Sequence, residues 1–220
     1  MAGWLAAFAA LLVVGVTVHT VPSARRDLHP ARRPPTEEDL AAARRSLAGL
    51  EPVEFRTDDG LLLRGWFAPG SRASAVVLVH GLGANRAELL PEASLLSRRG
   101  HAVLVYDSRA SGESEGKLAT WGDRERWDVA AALRWIRRRP GMDPARVGLY
   151  GFSVGASAVA LAAAADPEVR AVALGPVWPS LDDELRHRFP LTHARSGMVA
   201  ALVFRLAGVN VAAVRPEDAI

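Results

Sequence analysis

Four short runs of aliphatic and β-branched residues constrain this chain more than any other feature: AVVLV (Ala75 to Val79), AVLVY (Ala102 to Tyr106), VGLY (Val147 to Tyr150) and VRAVAL (Val169 to Leu174). They are close to continuous rather than alternating, as expected of strands buried on both faces in a parallel sheet. Helical patterns separate them, at Arg86 to Arg99, Arg124 to Arg139 and Val154 to Ala165. In the second of these, Trp127, Ala131, Leu133, Trp135 and Ile136 supply a face to bury. This alternation predicts an α/β domain with a mostly parallel sheet and helices on both faces. Ahead of it, VEFRT and LLLRGWF flank the turn residues Asp58-Asp59-Gly60, which predicts an antiparallel hairpin. With 220 residues, half of them apolar, there is room for one domain with a substantial core. Cysteine is absent, which excludes disulfides, thiol catalysis and cysteine-ligated metal centres.

The N-terminal region differs from the rest. Ala2 to Val21 carries no formal charge, and as a helix it would reach ~30 Å, the thickness of one bilayer core. Trp4 stands where an interfacial aromatic belongs, and Arg25, Arg26, His29, Arg32 and Arg33 follow the apolar run. The expectation is an uncleaved single-pass anchor over 1–21 with a cytoplasmic body, the alternatives being export by a cleaved signal or a packed helix. Residues 22–50 then read as a basic, proline-rich tether followed by a short helix capped by Thr36 and Asp39, with the folded domain over 51–220. Of 27 basic residues only Lys117 is a lysine, and no aromatic residues interleave with the arginine clusters, so no nucleic-acid partner is expected.

Gly151-Phe152-Ser153-Val154-Gly155 lies between the run VGLY and an alanine-rich helical stretch. It therefore fits G-x-S-x-G in the strand–turn–helix setting that holds a serine hydroxyl exposed at strained dihedrals. Flanking glycines are needed because the turn is too tight for a β-carbon. The following helix points its N-terminal amides at the same spot, where a negative oxygen would be stabilised. His80-Gly81-Leu82-Gly83 ends the run AVVLV, in order and topology for a second amide donor. The candidate catalytic groups are thus Ser153 as nucleophile and the N–H groups of Leu82 and Val154 as an oxyanion pair. His80, Gly81, Gly83, Gly151 and Gly155 are read as loop-structuring.

At these motifs the chain resembles the α/β-hydrolase superfamily, and is more closely similar to the membrane-anchored, Bem46-like serine hydrolases. The resemblance covers about Val53 to Ile220. It includes Asp107-Ser108-Arg109-Ala110-Ser111-Gly112-Glu113-Ser114, where relatives read D-x-R-G-x-G-x-S, so Ala110 replaces one glycine. Asp107 and Arg109 are taken as structural members of that loop. The resemblance implies an acid and then a histidine after the serine, yet only 67 residues follow Ser153 (220 less 153). Ala156 to Ala165, Val169 to Leu174 and a cap over about 176–214 account for most of them, so the chain is read as stopping short of its acid and histidine. Asp182, Asp183, His187 and His193 follow in the right order, but a solvated helix face explains them as well.

The expected function is a serine hydrolase acting on an ester, thioester or lipid-like acyl substrate, with neither cofactor nor metal. A non-catalytic, membrane-tethered binding protein of the same fold is the alternative.

Overall fold

The computed structural model describes residues 2–189 and 194–219, and the side chains of residues 14–189 and 195–219. The helices are α1 (Ala2–Leu28), α2 (Glu37–Ser46), α3 (Leu90–Arg98), α4 (Glu125–Arg137), α5 (Val154–Ala164), α6 (Leu181–Arg188) and α7 (Ala194–Leu206). The strands are β1 (Glu51–Arg56), β2 (Leu62–Ala68), β3 (Ala75–Val79), β4 (Ala102–Tyr106), β5 (Val147–Gly151) and β6 (Ala171–Leu174). They form one six-stranded sheet in the order β1-β2-β4-β3-β5-β6. The β1/β2 and β2/β4 pairs are antiparallel, and the remaining pairs are parallel.

Strand period divides the core. Val77, Val79, Leu104, Tyr106 and Leu149 point to one face, against Val129, Leu133 and Ile136 of α4 and Ala158, Val159 and Ala162 of α5. Leu78, Val103 and Val105 point to the other, against Ala43 and Leu47 near α2 and Ala93 of α3. Because β3 and β4 are covered on both sides, every second residue is not enough, and the runs must be apolar throughout. The strand expected from VRAVAL differs: β6 spans Ala171–Leu174, and Ala171, Val172 and Ala173 are exposed. It stands at the end of the strand order, next to β5, and although α5 packs against it, it is less covered than β3 and β4 among the described residues.

Thr36 caps α2 in both directions, its Oγ1 accepting from Asp39 N (3.1 Å) and its own N donating to Asp39 Oδ2 (2.8 Å). The tether expected ahead of it has another form. Helix α1 continues to Leu28 with Pro22 inside it. Val16, Thr20, Ala24 and Leu28, at four-residue spacing, are its buried stripe. Beyond Leu28 the chain lies extended against the body: Arg32 donates to Ser114 O (2.7 Å) and to Gly116 O, and Asn85 Nδ2 donates to Arg33 O (2.8 Å). The side chains of residues 1–13, most of the expected anchor, lie outside the described residues. Among the described residues, no helix is long and apolar enough to cross a membrane.

A third cluster sits beyond the C-terminal ends of the parallel strands. It joins Ala24 and Leu28 of α1, Trp121, Val154, Leu181 and Leu185 of α6, and Ala200, Ala201 and Phe204 of α7, with Leu82 packed against it. The segment expected as a cap, about 176–214, supplies α6 and α7 to this cluster, and the end of α1 packs with them.

Candidate active site

Register places the site. Val79, the last residue of β3, pairs with Gly151, the last of β5, so the segments leaving both strands emerge side by side. Phe152 N donates to Val79 O (3.0 Å), and Gly175 N, just past β6, donates to Gly151 O (2.8 Å). Between these ties Ser153 precedes α5 at φ 54° and ψ −120°, a left-handed φ that is costly for a residue with a β-carbon. A β-carbon on Gly155 would lie 2.3 Å from Val79 O, and one on Gly151 would lie 2.5 Å from Gly155 O. The two glycines are what allow the first turn of α5 to press against the end of β3.

The loop after β3 closes on the same point. A β-carbon on Gly81 would be 3.5 Å from Ser153 Cβ, so this backbone is in van der Waals range of the serine. Gly83 takes φ +70°, and Gly81 N donates to Glu88 Oε2 (2.8 Å). Neither Leu82 N–H nor Val154 N–H donates to an acceptor among the described residues, and Ser153 Oγ makes no hydrogen bond there either. Ser153 is thus half-buried, with the Gly81 backbone beside it and Val154 next in the chain, and among the described residues the N–H groups of Leu82 and Val154 have no acceptor. A 350 Å³ cavity adjoins the loop, lined by Leu82, Gly83, Ala84 and Asn85 with Arg33 and Asp39.

His80 is not part of that arrangement. It is buried, its Nδ1 lies 2.7 Å from Gly81 O, and its Nε2 accepts from Ser108 N (3.0 Å). Both ring nitrogens are engaged by backbone, which places the proton on Nδ1 and leaves no lone pair for a serine hydroxyl. Asp107 is buried as well. Its Oδ1 accepts from Arg86 N (2.7 Å) and its Oδ2 from Glu113 N (2.8 Å), joining the loops that follow β3 and β4. Burial raises its carboxyl above the usual range, against the pull of Arg86. Arg109 donates through Nε and a terminal nitrogen to Asp128 Oδ1 (2.9 and 2.7 Å), and pairs with Asp59. Burial pushes Asp128 up to about 7, with Arg109 pulling down and Glu125 adding to the rise.

The other carboxylates weighed from the sequence have partners. Asp182 pairs with Arg186. Asp183 Oδ2 accepts from Ser180 Oγ and Asp183 N donates back to that oxygen (3.2 Å) at the start of α6, while His187 is exposed on that helix and His193 lies outside the described residues. Among the described residues no group of three acidic or histidine side chains is placed to hold a metal ion.

Sequence reasoning missed Glu88, Glu125 and Trp121. Glu125 accepts from Thr120 N (2.7 Å) and Gly122 N (2.8 Å), holding between them Trp121, at φ 59°. Ser157 Oγ, one turn after Ser153, donates to Trp121 O (3.4 Å), and Trp121 Nε1 donates to Asp27 O of α1 (3.3 Å). A tryptophan in a left-handed conformation has no local signature, and its turn depends on a carboxylate from α4.

Comparison with known proteins identifies the family. A family model described as the alpha/beta hydrolase fold matches residues 74–209. The polyketide transferase ATR5 of Stachybotrys chlorohalonatus is 37% identical over 126 residues, 56% of this chain and 42% of that protein. The thiohydrolase aneE of Aspergillus aculeatus is 37% identical over 124 residues, 54% of this chain and 39% of that protein. The chain thus spans less than half the length of these relatives. The solved esterase Pf2001 of Pyrococcus furiosus superposes with a TM-score of 0.64 at 28% identity, over 72% of this chain and 63% of that one.

Proposed function

The chain belongs to the alpha/beta-hydrolase family, and from that premise we propose that it is a serine hydrolase whose Ser153 attacks the carbonyl carbon of an ester or thioester. The observation that carries this is Ser153 at φ 54° in the turn between β5 and α5, beside the Gly81 backbone, with no hydrogen bond to its Oγ and no acceptor for the N–H groups of Leu82 and Val154 among the described residues. In the reaction the Ser153 Oγ–carbon bond forms as the O–H bond breaks, the carbonyl π pair moves onto oxygen as negative charge, and the proton ends on the alcohol or thiol whose bond to the acyl carbon then breaks. The two amides would hold that charge before the alcohol or thiol leaves and water releases the acyl group. Preorganised amides suit this task because they need not reorient as charge develops.

The proposal assigns the nucleophile and the oxyanion donors and no base, since His80 has both nitrogens engaged. An acyl thioester is the preferred substrate class, supported by the relative named as a thiohydrolase. The N-terminal apolar run, expected as an anchor over 1–21 and packed on the body from Val16 onward, is proposed to attach the protein to a membrane through the residues ahead of Val16 with the body on the cytoplasmic side, supported by the arginines that follow the run. The test is labelling with a fluorophosphonate. Slow modification of the wild type that is lost in Ser153→Ala is expected, because a serine without an assigned base is a weak nucleophile. Labelling that survives Ser153→Ala would reject the assignment. The second reading, a non-catalytic binding protein, draws support from the unbonded Oγ and requires no labelling at Ser153 at all.

A further inference from the structure

Helices α1 and α7 pack against one another, and each presents a second apolar side to solvent. On α7, Ala200, Ala201 and Phe204 are at most 2% exposed, while Met198, Leu202 and Leu206 are 65%, 54% and 79% exposed. Spacing of four residues puts these three on one stripe. On α1 the buried Val16, Thr20, Ala24 and Leu28 are offset from Val14 and Val18, which are 58% and 62% exposed at the same spacing. Among the described residues, most of the exposed large apolar side chains are on these two helices. Five such residues on two packed helices exceed the scattered exposure normal for a protein surface.

The charges nearby indicate what covers this side. Arg25 and Arg26 close α1, and Arg195 and Arg205 stand near the two ends of α7. All four are exposed, and none forms an ion pair among the described residues. Over residues 14–28 and 195–206 the one acidic residue is Asp27, which Arg188 already holds at 2.7 Å. An apolar stripe edged by arginines without counter-charges matches a bilayer surface, where aliphatic side chains enter the acyl boundary and guanidinium groups meet lipid phosphates. A second copy of the chain would instead bring like charges together.

We propose that α7, together with the exposed side of α1, docks on the surface of an anionic phospholipid bilayer, with Met198, Leu202 and Leu206 buried in the headgroup layer. This extends the membrane part of the reading above and does not depend on the chemistry of Ser153. It would bring the third apolar cluster, and with it Leu82 and Val154, close to the lipid surface.

The chain has no cysteine, so a single introduced thiol is a unique probe. Full-length Leu202→Cys, Leu206→Cys, Ala10→Cys and Ser71→Cys, each carrying a bimane label, would be reconstituted into phosphatidylcholine vesicles with and without phosphatidylglycerol, containing a spin-labelled quenching lipid. Quenching at positions 202 and 206 is expected to be severalfold stronger than at the exposed position 71, and to need phosphatidylglycerol. Adding Arg195→Glu and Arg205→Glu to Leu202→Cys should reduce it to the level seen without phosphatidylglycerol. Quenching at 202 and 206 no greater than at 71 would overturn the proposal, as would label–label contact that rises with protein concentration and marks a second copy. Position 10 reports the anchor separately. Deep quenching there without quenching at 202 keeps the anchor and removes the docking face, and the reverse removes the anchor alone.

Discussion

Single residues around Ser153 are held by backbone approach, and two substitutions separate close packing from conformational strain. Gly155→Ala places a methyl 2.3 Å from Val79 O and 2.5 Å from His80 O, neither of which can move without shifting β3. Overpacking of this kind costs about 1–3 kcal/mol, and urea unfolding should show that loss together with loss of fluorophosphonate labelling. Gly141→Ala, at φ +81° with nothing within 4 Å of the new methyl, should cost only the left-handed penalty of about 1–2 kcal/mol and leave labelling unchanged. Ala110 provides the converse case. It sits at φ 58°, where the family resemblance leads one to expect glycine, and it is buried. Relief of left-handed strain should offset the lost methyl, so Ala110→Gly is expected to unfold within about 0.5 kcal/mol of the wild type. Ala132→Gly, equally buried but inside α4, should lose about 1 kcal/mol or more in the same assay. The elbow glycines were legible from sequence because they stand in a five-residue pattern. Glu88 and Glu125 were not, since a carboxylate that orders a loop leaves no periodic trace.

At the scale of elements, α4 is tied to the loop after β4 by Asp128 and Arg109, both buried. Asp128→Ala leaves the guanidinium without its main partner and is expected to cost about 3–5 kcal/mol, read from the urea midpoint. The same pair has a pH signature. With Asp128 near 7 in the folded protein and about 3.9 when unfolded, the folded state holds a proton between these values that the unfolded state lacks. This contribution therefore grows as pH falls from about 7 toward 4 and is absent above 7, opposite in sign to the usual paired carboxylate. Asp59 and Asp166 are held low and act in the usual sense, but they are common to wild type and variant. Subtracting the Asp128→Asn stability from that of the wild type at about pH 5.5 and about pH 8 should give a difference that favours the wild type more at the lower pH. Equal differences at the two values would show that Asp128 stays ionised throughout.

Over the whole molecule, the N-terminal helix is part of the folded body from Val16 onward. Leu28 is 1% exposed in the cluster formed with α6 and α7, and Leu133 is 1% exposed in the core under the sheet. Leu28→Ala and Leu133→Ala are each expected to cost about 2–5 kcal/mol, whereas at Leu28 a free tether would give no measurable change in the urea midpoint. Sequence alone determined the strand–helix alternation, the hairpin, the Thr36/Asp39 cap and the glycine-flanked serine. Each of these is set by backbone sterics or by side-chain period within a few residues. Tertiary structure decided the rest. It carried α1 past Pro22 to dock at Leu28, left β6 exposed, engaged both nitrogens of His80, and covered one apolar side of α7 while leaving the other open. The physical reason is that burial is a property of pairs of surfaces. A window of sequence shows which faces are apolar, and only contacts between residues such as Asp27 and Trp121, 94 positions apart, determine which of them is covered.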